Sequence, residues 1–164
     1  MPEINRSRDP FVRVTGIFYR AVADAPNIDP LAGSIAAGRY SRPNQKTLYM
    51  SSSEDGVSAA MLAHPLPSGQ VRSTWPLFVD ADCIADLRDD AILSAIRMQR
   101  DDALRPWQDG LAKGQEPSSW SVRSALEEIG AKGLIDPSRK APGMWHLVLF
   151  RWNQPNAPRV RLGA

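Results

Sequence analysis

At 164 residues the chain has room for one domain with its own hydrophobic core and too little for a second full one. Its 43% hydrophobic and 23% charged residues sit near globular averages, which excludes a wholly disordered or fibrous class. A formal net charge of +2, one cysteine (Cys83) and two histidines exclude an intrachain disulfide and a Cys/His zinc centre, and argue against a nucleic-acid binder built on a clustered basic face.

Residues 1–10 are polar and read as a loose arm, leaving 11–164 as a single domain. The opening MPEINRSRDPF has no apolar stretch of the signal-peptide kind, and no run approaches a membrane span, so a cytoplasmic location is expected. Val12 to Ala21 is rich in β-branched and aromatic residues and predicts a first strand. Asp24 to Gly38 carries prolines and glycines without a sustained period and predicts a surface loop. Thr47 to Ser51 predicts a short buried strand. Ser51, Ser52 and Ser53 before Glu54 and Asp55 mark a helix start, and that helix is expected to run to about His64 with Val57, Ala60 and Met61 on one face. Gln70 to Val79 predicts another strand, followed by a connector over Asp80 to Asp89.

Asp90 to Lys113 has helical periodicity with a kink expected at Pro106. Ser121 is expected to cap a helix over Val122 to Ile129, closed by Gly130. Gly133 to Asp136 and Trp145 to Trp152 predict two last strands. This irregular alternation points to an α+β domain, a mixed β core with flanking helices, rather than a doubly wound fold.

Three stations carry residues suited to a ligand. Tyr19-Arg20 ends the first strand, where a guanidinium can fork onto phosphate or simply be a surface charge. In AGRYSRPNQKTLYMSSS, Gly38 allows close backbone approach, Arg39 offers charge, and Tyr40 and Tyr49 offer flat faces with hydroxyl tips. The same stretch also reads as a plain turn with Tyr49 in the core. In GLIDPSRK, Ser138 can donate to a ligand or cap its own turn. There is no G-x-S-x-G elbow, Walker loop or G-x-G-x-x-G fingerprint. His64 and His146 read as structural, Cys83 as inert, and Trp107, Trp120, Trp145 and Trp152 as core or partner-facing anchors. The nearest thing to a basic patch is the tail of Arg151, Arg159 and Arg161, so direct nucleic-acid binding is not expected.

Taken in order, FYRA (18–21), AGRYSRPNQKTLYMSSS (37–53) and GLIDPSRKAPGMWHLVLF (133–150) resemble the RES domain family, named for its Arg, Glu and Ser residues. The resemblance implies an ADP-ribosyltransferase-like fold and an NAD cleft belonging to the toxin of a bacterial toxin–antitoxin pair, acting as NAD glycohydrolase or ADP-ribosyltransferase. It implies Arg20 and Arg39 on the phosphates, Tyr40 and Tyr49 near the rings and Ser138 in the pocket, with Arg39, Tyr49 and Ser138 as catalytic candidates. It implies an antitoxin-like protein partner carrying a DNA-binding region; no metal is expected, since no Cys/His set with zinc spacing exists. One departure stands out: the family Glu falls about where Ala59 and Ala60 stand, and no carboxylate lies between Gly56 and His64. A catalytically impaired binding module for a nucleotide or an antitoxin-like partner is therefore the alternative reading.

Overall fold

The computed structural model describes residues 2–61, 71–137 and 143–163. In chain order the elements are β1 (Glu3–Arg6), β2 (Val12–Ala23), β3 (Leu48–Ser51), α1 (Glu54–Met61), β4 (Arg72–Asp86), α2 (Asp90–Ala95), α3 (Arg100–Leu104), α4 (Gln108–Ala112), α5 (Ser118–Glu128), β5 (Gly133–Pro137), β6 (Trp145–Leu149) and β7 (Arg159–Leu162). The strands are ordered β1-β2-β3-β6-β5-β4-β7, and β2 also pairs with β4. Strands β2, β3, β6, β5 and β4 thus close a ring, with β1 and β7 attached outside it. Only β4–β5 is parallel among these pairings. The domain is α+β with a mixed β core, as the pattern of elements predicts.

Long β2 and β4 form the backbone of the ring, paired antiparallel from Val12 opposite Ile84 to Ala23 opposite Arg72. β4 can serve several neighbours because it is irregular at Asp82-Cys83. Cys83 adopts φ 57°, its amide donates to Asp82 Oδ1 at 2.9 Å, and the register with β2 slips there. A bulge bends a strand and lets it change partners: before it β4 pairs with β7, and after it with β5.

Period-two alternation then sorts the side chains. Leu48 and Met50 of β3, Ile135 of β5 and Trp145, Leu147 and Leu149 of β6 join Phe18, Leu77 and Val79 in one core inside the ring. The opposite faces of β5 and β6, with Leu134 and Val148, pack with Leu87, Ile92, Leu93, Ala103, Val122 and Leu126 from the helical layer.

Several expectations change. The arm expected to be loose contains β1, which finds an edge on β2 despite its polar sequence. Asp80 to Asp86 is strand, not connector, because the bulge shifts the phase of burial between Ala81 and Ile84. The single kinked helix over 90–113 is three short ones, interrupted by Arg97 at φ 56° and again near Pro106. α5 begins at Ser118 rather than Val122, with Ser121 inside it; Gly130, at φ 98°, closes it as expected. Arg159 and Arg161 of the basic tail lie in β7, which buries Val160 against β4. His64 and Ser138 lie outside the described residues.

Candidate functional site

The Gly-Arg-Tyr segment is a loop held in a fixed shape by α5. Three consecutive carbonyls each accept a bond from it: Gly38 O from Trp120 Nε1 at 2.8 Å, Arg39 O from Ser119 Oγ, and Tyr40 O from Arg123 Nη1 at 3.0 Å. Buried loop carbonyls need such donors because no ladder supplies them. Arg123 is only 3% exposed; it also donates to Thr47 Oγ1 at 2.6 Å, stacks over Phe150 and pairs with Glu127.

β3 meets this loop through Tyr49. The Tyr49 hydroxyl accepts from the Tyr40 amide at 3.1 Å and shares a 2.7 Å hydrogen bond with Ser41 Oγ. A Cβ at Gly38 would fall 2.6 Å from that hydroxyl, so the position requires glycine for close approach. Burial pushes the Tyr49 phenol above its ordinary pKa. Tyr40 is enclosed, at 1% exposure, and its hydroxyl donates to Asp136 Oδ1 at 2.8 Å. Its own pKa is driven well up, first by burial and then by that carboxylate. Tyr40 therefore works inside the wall and offers no open ring face.

Arg20 and Arg39 make no ion pair among the described residues, in contrast to several other arginines. Arg13, Arg88, Arg100 and Arg105 each pair with an aspartate. Among the described residues Arg20 reaches only the Tyr49 carbonyl, from Nη1 at 3.2 Å, and its Nε is buried without a partner there. Burial lowers its pKa. Arg39 donates from Nη1 to Ala103 O at 3.2 Å and Arg105 O at 2.9 Å, at the end of α3. Carbonyl dipoles satisfy donors but leave the charge uncompensated.

A row of polar residues lies across the sheet beside them. Ser51 of β3 is in register with His146 of β6, which is in register with Asp136 of β5. His146 Nδ1 and Ser51 Oγ are 2.8 Å apart. Burial first, and the nearby Arg39 charge second, lower the His146 pKa.

Of the residues singled out in the sequence, Tyr49 links two others, its main-chain carbonyl accepting from Arg20 and its hydroxyl from the Tyr40 amide, and Arg39 precedes Tyr40 in the loop. Ser51, Arg123, Asp136 and His146 were not foreseen. The signal for His146 was available, since alternation in Trp145-His146-Leu147 turns it away from the inner core. Asp136 and Arg123 carried none, because their roles depend on cross-strand register and on a partner 83 residues away.

Among the described residues no group of His, Cys, Asp and Glu is arranged to hold a metal ion, and no helix is long and apolar enough to cross a membrane. No curated protein matches the sequence. Among solved structures, a chain of the M. tuberculosis MbcT-MbcA toxin–antitoxin complex matches with a TM-score of 0.61 at 16% identity, over 92% of this chain and 84% of that one. At that identity the likeness speaks for the fold alone. The RES domain model matches residues 11–163, so the chain belongs to the RES domain family.

Proposed function

We propose that this RES domain binds NAD at the junction of β3, the Gly38-Arg39-Tyr40 loop and the Ser51-His146-Asp136 row, and acts on it as an NAD glycohydrolase or ADP-ribosyltransferase toxin. The observation that carries this reading is Arg20, a largely buried guanidinium that, among the described residues, has an unpartnered Nε and only a neutral carbonyl for company. A buried cation is costly until an anion meets it, and pyrophosphate presents oxygens in the geometry a guanidinium fork prefers. Arg39 adds a second cation bonded, among the described residues, only to carbonyls. Tyr49 shapes the wall between them, and Ser138, on the segment after β5, is assigned to the pocket by the family resemblance.

Cleaving the nicotinamide–ribose bond develops positive charge at the ribose C1′, and water or another acceptor takes the ADP-ribose. The reading carries with it a cytoplasmic setting and an antitoxin-like protein partner, in keeping with a toxin–antitoxin complex among the structural matches; the partner's DNA-binding region is implied by the family resemblance. Purified protein incubated with NAD should release free nicotinamide, and NAD should raise its melting temperature. Absence of both effects overturns the proposal.

A second reading is favoured by α1. Its Glu54 and Asp55 are exposed in the first turn, and Ala59 and Ala60 hold the places where the resemblance puts the family Glu. Loss of one preorganised electrostatic group costs on the order of 10²-fold or more in rate. On this reading the domain is a catalytically impaired binding module, and NAD or the protein partner stabilises it without nicotinamide release.

A further inference from the structure

The hydroxyl of Ser51 has one proton to place and sits in a residue only 4% exposed. Its sole hydrogen-bond neighbour among the described residues is His146 Nδ1 at 2.8 Å. A buried hydroxyl proton left without an acceptor is unfavourable, so Ser51 donates and Nδ1 accepts. The imidazole proton is then carried on Nε2, at the far end of the ring, where no partner is found among the described residues. Around the ring stand Arg39 from the loop and Asp136 on the neighbouring strand, whose Oδ1 already accepts from Tyr40. A cation beside the ring opposes a second proton on it.

We propose that His146, locked by Ser51 as the Nε2–H tautomer, is the site's neutral hydrogen-bond donor and grips an uncharged oxygen of NAD, a ribose hydroxyl or the carboxamide, while the arginines take the phosphates. This rests on the NAD reading above. The division of labour is physical: phosphate oxygens draw the full charges of Arg20 and Arg39, whereas a neutral N–H suits an oxygen that carries no charge. It is a binding and positioning role, and it needs no proton transfer.

The tautomer can be checked without any ligand. The chain has two histidines, so nitrogen-15 spectra of the imidazoles are simple, and the His146→Gln variant assigns them. The proposal expects a protonated Nε2 and a bare Nδ1 at neutral pH, with that preference weakened in Ser51→Ala. A protonated Nδ1, or a doubly protonated ring, overturns it. Binding is then compared for NAD and for inorganic pyrophosphate. His146→Leu should weaken NAD about 3- to 10-fold, the worth of one neutral hydrogen bond, and leave pyrophosphate unchanged. His146→Gln, whose amide N–H reaches the place of Nε2, should recover most of the NAD affinity. Equal loss for both ligands, or no recovery with Gln, overturns the role of His146 while the NAD reading stands. If the wild-type protein binds pyrophosphate but not NAD, both fall together.

Discussion

Replacing Arg20 by Met should make the ligand-free protein more stable and take away its response to NAD. Two terms set the size of the effect. The 3.2 Å bond from Nη1 to the Tyr49 carbonyl is long, and losing it costs about 1 kcal/mol. Against this stands relief of a buried charge that no carboxylate compensates among the described residues. Stranding such a charge costs roughly 3–5 kcal/mol when it is fully enclosed, and about half that for a side chain that keeps some contact with water. The Met side chain fills much of the same volume with no polar atom to satisfy. The net gain is about 0.5–1.5 kcal/mol, or roughly 1–6 °C in melting temperature for a domain of this size. Wild-type protein at 100 times the dissociation constant should gain about 2.7 kcal/mol from NAD, and the variant almost none. Thermal melts of both proteins, with and without NAD and with inorganic pyrophosphate, read all of these quantities. The reasoning fails if the Met variant melts several degrees below wild type, because Arg20 would then be a structural cation, or if NAD stabilises both equally.

Arg123→Met removes the donors that hold the Tyr40 carbonyl and the Thr47 hydroxyl, and should destabilise by about 2–3 kcal/mol in urea unfolding; a loss under about 0.5 kcal/mol would contradict the strut role of α5. Gly38→Ala places a methyl 2.6 Å from the Tyr49 hydroxyl and 2.9 Å from Ser41 Oγ, and overpacking of that kind costs about 1–3 kcal/mol, so a neutral result by the same assay would mean the loop moves freely. His146 is held below its ordinary value near 6.5, chiefly by burial. As pH falls through that value the unfolded chain takes up a proton that the folded protein refuses, so stability present above it is lost on acidification. Urea midpoints at about pH 7.5 and 5.5 should differ less in His146→Gln than in wild type, and equal differences would remove His146 as a cause.

The parts of this fold legible in the sequence were those whose signal is local. β2, β3, β5 and β6 show as β-branched or apolar runs, and Gly130 marks the end of α5 by a backbone conformation that glycine adopts cheaply. What stayed hidden depends on distant partners. β1 is polar and exists because β2 offers it an edge. The second half of β4 is masked by a bulge that reverses its alternation, so one strand looks like a strand and a connector. In the site, Arg20, Arg39 and Tyr49 stood out as donors and rings beside glycine. Tyr40 looked like an open ring face, yet only the register of β5 shows Asp136 waiting to receive its hydroxyl. Arg123 lies in a helix like any surface arginine until its buried contacts with the loop are seen.

The position of α1 makes the missing carboxylate a test of placement as well as of chemistry. A Cβ on Gly56 would lie 3.3 Å from the Ser51 Cβ and 3.6 Å from the Met144 sulfur, so this side of the helix looks onto the sheet end where Ser51 meets His146. Ala60, four residues on, shares that side about 6 Å further along the axis, whereas Glu54 and Asp55 start the helix at exposed positions. Ala60 is half-buried, which leaves a longer side chain room to reach outward. Ala60→Glu should thus return a fixed negative charge beside the ribose and raise nicotinamide release by on the order of 10²-fold, the worth of one preorganised electrostatic group. Melting of the variant with and without NAD separates the possible failures. If Ala60→Glu folds, is stabilised by NAD and still releases nicotinamide at the parent rate, the carboxylate does not belong on this face of α1. If it releases nicotinamide faster, the fold has kept its binding site ready for a group the present sequence omits.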